Sequence, residues 1–173
     1  MVAGQSGCLD ADGVHATVSS ALTDVGLDRK GRSRWYSRLA ELVWVAELDR
    51  TTVRPWSLVF GAVIRSWSPD IEWPSYPDAH LSQDYALYDS GVPGEAAQSR
   101  FDDHRSYFTM IMDHSHTLVS DDERIQAADF MAWDLATLFR RVATLDALAS
   151  AVRARQIGGF IHPRLRQLAQ GVE

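Results

Sequence analysis

Leu42, Trp44, Ala46 and Leu48 occupy alternate positions near the middle of the chain, and Leu58, Phe60, Ala62 and Ile64 repeat the pattern a few residues later. Successive side chains of a strand point to opposite faces, so each run predicts a strand with one buried side. The intervening positions are apolar too, with Val43 and Val45 in the first run and Val59 and Val63 in the second. Both strands are therefore expected at the centre of a sheet. Predicted strands cover 33–39, 42–50 and 56–66. A tight connection near Ala40 and Glu41 joins the first pair, and a TTVRP stretch joins the second, its Pro55 ending the ladder before Trp56. Short connections make such neighbours antiparallel. A fourth strand is predicted over 81–89, with Leu81, Tyr85 and Leu87 inward and Gln83 breaking the pattern. The stretch around 105–112 fits a helix through Phe101, His104, Phe108 and Ile111, or a strand through Tyr107, Thr109 and Ile111. Its aromatic and β-branched content favours a fifth strand.

Helical periodicity brackets these strands. Val14, Val18, Leu22 and Val25 recur at helical spacing, and Gly26 stands where a left-handed residue would end the helix. The clearest boundary is Ser120-Asp121-Asp122-Glu123, a capping box with acids against the positive end of a helix dipole. The long helix that starts there carries Ile125, Ala128, Ala132, Leu135 and Leu138 or Phe139 as its apolar stripe, broadened by Met131 and Trp133, and closes on Arg140 and Arg141. Leu145, Leu148 and Val152 mark another helix, broken by Gly158 and Gly159, and a short one follows His162-Pro163. The fold class expected is α+β: an antiparallel meander of four or five strands packed by an N-terminal helix and two to three C-terminal helices. Residues 1–12, small and polar, read as a flexible leader, and 13–173 as one domain.

Composition narrows the picture modestly. A chain of 173 residues is long enough to bury roughly two-thirds of its unfolded surface without a staple. Its single cysteine, Cys8, has no internal partner, and the start lacks a signal-peptide pattern; a reducing, cytoplasmic location is expected. Acidic residues outnumber basic ones 23 to 17, a net charge of -6 that disfavours nonspecific nucleic-acid binding and favours a basic partner. No apolar stretch is long enough to span a bilayer.

Gly26, Leu27, Arg29, Lys30, Gly31, Arg32, Trp35 and Tyr36, followed by the strand of Leu42, Val43, Trp44 and Val45, resemble the signature of a bacterial family of small proteins, the domain of unknown function numbered four thousand three hundred and four. The likeness spans about residues 14 to 155, with its specific part between 26 and 45. The chain departs from the family at Asp49, Arg50 and Thr51, where a Gln-Lys-Ser-like set is usual. The resemblance implies an antiparallel sheet flanked by helices; it implies no activity and no functional residue.

Candidate chemistry is sparse. No GxSxG elbow, Walker lysine loop, HExxH helix or GxGxxG turn is present. Asp113-His114-Ser115-His116 is the most metal-like string, with Asp113, His104 or Asp102 available as a third ligand beside His114 and His116; a solvated connection into the Ser120 cap needs no metal and is the favoured reading. Carboxylates also gather at Asp102 and Asp103, at Asp70 with Glu72, and at Asp78 with His80, as they do in ordinary loops. Arg29, Lys30, Arg32 and Arg34 form a basic turn that could grip a phosphate or an acidic surface, or simply be solvated.

The loop over 66–80 is more distinctive. Pro69, Pro74 and Pro77 stiffen a segment holding Trp67, Trp73 and Tyr76 among Asp70, Glu72 and Asp78, a composition suited to anchoring on a basic protein surface. The alternative is that the tryptophans fold back over the sheet and leave the acids outward. The sequence therefore predicts a non-enzymatic cytoplasmic module, immunity- or antitoxin-like, that binds a basic protein partner through Trp67, Asp70, Glu72, Trp73, Tyr76 and Asp78, with no cofactor, nucleic acid or membrane involved. The competing reading is a small metal-assisted hydrolase using His114 and His116. A third is a small-molecule pocket lined by Trp44, Phe60 and Trp133.

Overall fold

In the computed structural model, which describes residues 9–49, 56–88 and 104–171, alternating strands build one six-stranded antiparallel sheet. The strands are β1 (Asp28–Lys30), β2 (Arg34–Arg38), β3 (Leu42–Asp49), β4 (Ser57–Ile64), β5 (Leu81–Asp84) and β6 (Phe160–Ile161), and they lie side by side in chain order. Five helices accompany them among the described residues: α1 (Ala11–Asp24), α2 (His104–Met112), α3 (Asp121–Arg141), α4 (Leu145–Arg153) and α5 (Pro163–Gln170). The protein is thus α+β, with six strands among the described residues where the hydrophobic pattern predicts four or five, and five helices where it predicts three or four. β1 and β6, of three and two residues, are too short to leave a periodic signal.

Register sorts the central side chains as the alternation requires. Trp44 pairs with Ala62, Ala46 with Phe60 and Leu48 with Leu58, and all of these are buried with Val14, Val18 and Leu22 of α1 and with Leu135 and Phe139 of α3. Trp44 stacks on Phe139 with ring centroids 4.8 Å apart and donates its indole N–H to the Val142 carbonyl at 2.9 Å. Trp44 and Phe60 are therefore packed core, and Trp133 is on the opposite side of its helix, so the pocket suggested by these three residues does not form.

Helix boundaries follow their local chemistry. Asp10 caps α1 by accepting from the Gly13 N–H at 2.8 Å, so the helix begins inside the stretch assigned to the leader. At its other end Gly26 has φ +86, its N–H reaches the Thr23 carbonyl and that of Leu27 reaches Leu22, the paired bonds of a Schellman cap. Ser120 and Glu123 exchange both bonds of the capping box that starts α3. Within α3 the buried line runs through Ala128, Met131, Leu135 and Phe139, and Arg124, four residues before Ala128, continues it. Ile125 and Trp133, expected inward, are each 45% exposed, because at about 100° per residue they fall to the side of that line and behind it.

The segment over 105–112 is helical, not the predicted strand. Phe108, Ile111 and Met112 are buried at the i, i+3, i+4 spacing of a helix, Phe108 edge-on to Tyr85 at 5.0 Å. Arg124, 1% exposed, donates to the carbonyls of Met110, Ile111 and His116, closing the end of α2 with charge. Tertiary contact thus overrides β propensity. The fourth strand is likewise shorter than predicted. Asp84 accepts from the Ala86 N–H at 2.9 Å and turns the chain into a single 3₁₀ turn, which leaves Leu87 54% exposed. Gln83, the exception in that strand, is buried because its amide bridges two segments, donating to Leu87 O and accepting from Gly158 N, each at 2.8 Å. No helix among the described residues is long and apolar enough to cross a membrane.

Candidate binding cleft on the outer face of the sheet

The strand period that turns Trp35 toward the helices turns Arg34, Tyr36 and Arg38 the other way. Pairing sets these beside Glu47, Val45 and Val43 of β3, and the adjoining pairs set Lys30 of β1 beside Arg34 and Gly61 of β4 beside Val45. This second face is covered by the loop between β4 and β5. The loop leaves through a turn in which the Trp67 and Ser68 N–H groups both reach the Ile64 carbonyl, and it returns where the His80 N–H meets the Ala62 carbonyl at 2.9 Å.

The loop is fastened to the sheet and braced within itself. The buried Tyr36 hydroxyl donates to the Pro74 carbonyl at 2.8 Å, and the Tyr76 N–H donates to Glu47 Oε2 at 3.2 Å. Ser75 and Asp78 close a capping box around the 3₁₀ turn Tyr76–Asp78, and the Ser75 N–H and O–H donors hold the Asp78 carboxyl below its ordinary pKa. Gly61 completes the seat: a Cβ there would stand 2.7 Å from the Cβ of Ala79, so only a glycine lets the loop lie this close.

Both loop tryptophans are half-buried against the chain itself. Trp73 meets Tyr36 edge-on at 5.2 Å, with the Lys30 ammonium 4.9 Å and the Arg38 guanidinium 4.7 Å from its ring centre. Such cation–π contacts each contribute about 0.5–1 kcal/mol where they are exposed. Trp67 lies under the Arg164 guanidinium at 4.4 Å and edge-on to His80 at 5.1 Å, near the far end of the sheet. Tyr76 is half-buried, and Asp70, Glu72 and Asp78 are exposed. The structure thus brings Trp73, Tyr76 and Asp78 together over β2 and β3, places Trp67 apart from them, and leaves the acids facing solvent.

Between this loop and the β1–β2 turn lies a cleft of about 720 Å³. Lys30, Arg32 and Arg34 line it together with Tyr36, Glu47, Trp56 and Trp73. Glu47 accepts from Arg34 Nε at 3.1 Å; burial works against the Arg34 charge, but this carboxylate outweighs it and holds the guanidinium pKa above its usual value. Burial pushes the Tyr36 hydroxyl up as well. Arg32 reaches Asp12 at 3.2 Å in a pair so exposed that it contributes little. Arg29 takes no part, because it folds onto the Gly31 and Arg32 carbonyls of its own turn. The basic turn and the Tyr36 that follows it are visible in the sequence, whereas Glu47 and Trp56 are not marked there as neighbours of it; the outward phase of β2 and the Arg34–Glu47 register are the signals that join them.

The histidine string is a turn after α2. Asp113 accepts from the Ser115 N–H at 3.0 Å and from its hydroxyl at 2.6 Å, bonds that lower the Asp113 pKa, and the His116 carbonyl is held by Arg124. Asp102, Asp103 and the side chain of His104 lie outside the described residues. Among the described residues no three His, Cys, Asp or Glu side chains converge as a metal-sized group. No protein-family model matches this chain, no curated protein matches it, and no solved structure matches it.

Proposed function

We propose that the protein is a binding module without chemistry of its own, and that it meets a basic protein partner through the acids of the loop between β4 and β5. The observation that supports this reading is the division of labour within the loop. Its aromatic side chains and backbone are tied to the sheet through Tyr36, Glu47 and the cations over Trp73, while Asp70 and Glu72 are left exposed. Charge displayed on a frame already fixed in place loses little conformational freedom on binding. Complementary charge also accelerates encounter with a basic surface, as in proteins that neutralise a basic toxin. The immunity- or antitoxin-like role belongs to this proposal as its most specific form.

Affinity capture from the source cells tests it, comparing the wild type with Asp70→Arg/Glu72→Arg. Both substitutions are at exposed positions and leave the loop contacts intact. The expected result is a basic protein retained by the wild type, eluted by moderate salt, and lost with the variant. Equal recovery by both would sink the reading.

A further inference from the structure

We propose that the cleft between the β1–β2 turn and Trp73 is a binding site for a small organic oxyanion, a carboxylate or phosphate group carried on an aromatic body. This site is separate from the exposed acids of the loop and does not depend on them. The argument begins with charge. The chain carries a net -6, yet the cleft gathers Lys30, Arg32 and Arg34 against the single carboxylate of Glu47. Glu47 is committed twice, to Arg34 Nε and to the Tyr76 N–H, and Arg32 meets Asp12 in a pair open to solvent on both sides, so the cleft keeps an excess of positive charge.

Geometry adds the second half of the ligand. The aromatic surface of the cleft is that of Trp73, half-buried and braced by Lys30 and Arg38, set beside the buried Tyr36 and Trp56, which are themselves held by Pro74 and by the Ala11 carbonyl. A braced ring such as Trp73 presents area at low entropic cost, and a volume of about 720 Å³ lies within the range of small-molecule sites. Arg34, oriented by Glu47 through Nε and adjoining the Tyr36 hydroxyl, adds a guanidinium whose planar fork matches carboxylate and phosphate geometry. Lys30 and Arg32 then supply charge from an exposed turn whose backbone is held by Arg29.

Isothermal titration calorimetry with phenyl phosphate, benzoate, inorganic phosphate and phenol tests the assignment on the full chain. Phenyl phosphate and benzoate are expected to bind with affinities that fall as salt rises. Inorganic phosphate, lacking the ring, and phenol, lacking the charge, are each expected to bind about tenfold more weakly or worse. Arg32→Ala, changed at an exposed position whose pair with Asp12 contributes little, should weaken the aromatic anions about tenfold while the far-UV spectrum and unfolding midpoint stay at wild-type values. No heat from phenyl phosphate at millimolar concentration would overturn the proposal, as would equal affinity in that variant or phenol binding as tightly as the anions. A protein that ignores these compounds but loses its captured partner with Asp70→Arg/Glu72→Arg rejects the cleft alone, so the two readings fail separately.

Discussion

The hydroxyl of Tyr36 and the carbonyl of Pro74, 38 residues apart in the chain, are joined by a buried hydrogen bond of 2.8 Å. This bond fixes the height of the β4–β5 loop above the sheet, because Trp73, next to Pro74, then lies edge-on to the Tyr36 ring. Tyr36→Phe keeps the ring and removes the donor, leaving the carbonyl buried without its partner. A loss of about 1–3 kcal/mol is expected in urea unfolding, together with faster amide exchange across the loop. Unchanged stability and unchanged exchange in the loop would show that the bond does not hold it.

Acidification should loosen the far end of the sheet. His80 Nδ1 accepts from the Ile64 N–H at 3.0 Å, a bond that a proton on that nitrogen would abolish. Burial, then the neighbouring His162 and Arg164, hold the His80 pKa below its ordinary 6.5, and burial, with Arg32 and Arg29, lowers that of His15. Ser68 and Trp67 complete the surroundings of His80 and bring no compensating charge. Both histidines bind protons more weakly folded than unfolded, so stability is complete above pH 6.5 and is lost as pH falls through their lowered folded values. Denaturation curves between pH 7.5 and 5 check the sign, and His80→Gln should flatten part of the slope. A midpoint that rises on acidification across that window would contradict the assignment.

Arg124 should be among the most sensitive positions in the protein. Its guanidinium is buried against three carbonyls of α2 and the following turn, which lose their charged donor together in Arg124→Ala. The expected cost is about 3 kcal/mol or more, with α2 losing exchange protection before α3 does. Arg124→Met, which keeps most of the volume without the donors, should rescue little. Recovery of wild-type stability in that variant would mean that packing, rather than the hydrogen bonds, holds α2.

How far the sequence could be read depended on the range of the forces involved. The alternation through Trp44 and Phe60, the Schellman glycine at Gly26 and the Ser120–Glu123 box are each decided within a few residues, and all three are found where the pattern places them. The helix over 105–112 is not legible locally because what favours it, Arg124 and the ring of Tyr85, comes from elsewhere in the chain. Trp133 departs from expectation for a different reason: a helix stripe followed residue by residue tolerates an error of one position, and one position is enough to carry a side chain from core to solvent. In the 66–80 loop the composition identified the unusual residues but not the direction in which each points. That direction comes from pairing with Tyr36, Glu47, Lys30 and Arg38, a set assembled only once β1, β2 and β3 are side by side.

The two-residue strand β6 binds β5 through pairs such as Leu81 with Ile161, and between those partners lie three of the helices. During synthesis, the hairpins from β1 to β5 can close as soon as they leave the ribosome, because their partners are near neighbours in the chain. The outer side of β5 has to wait for the rest. Until residues 160 and 161 are in place, Leu81 and Ser82 have no strand on their outer side, so closing this edge depends on a contact that spans three helices.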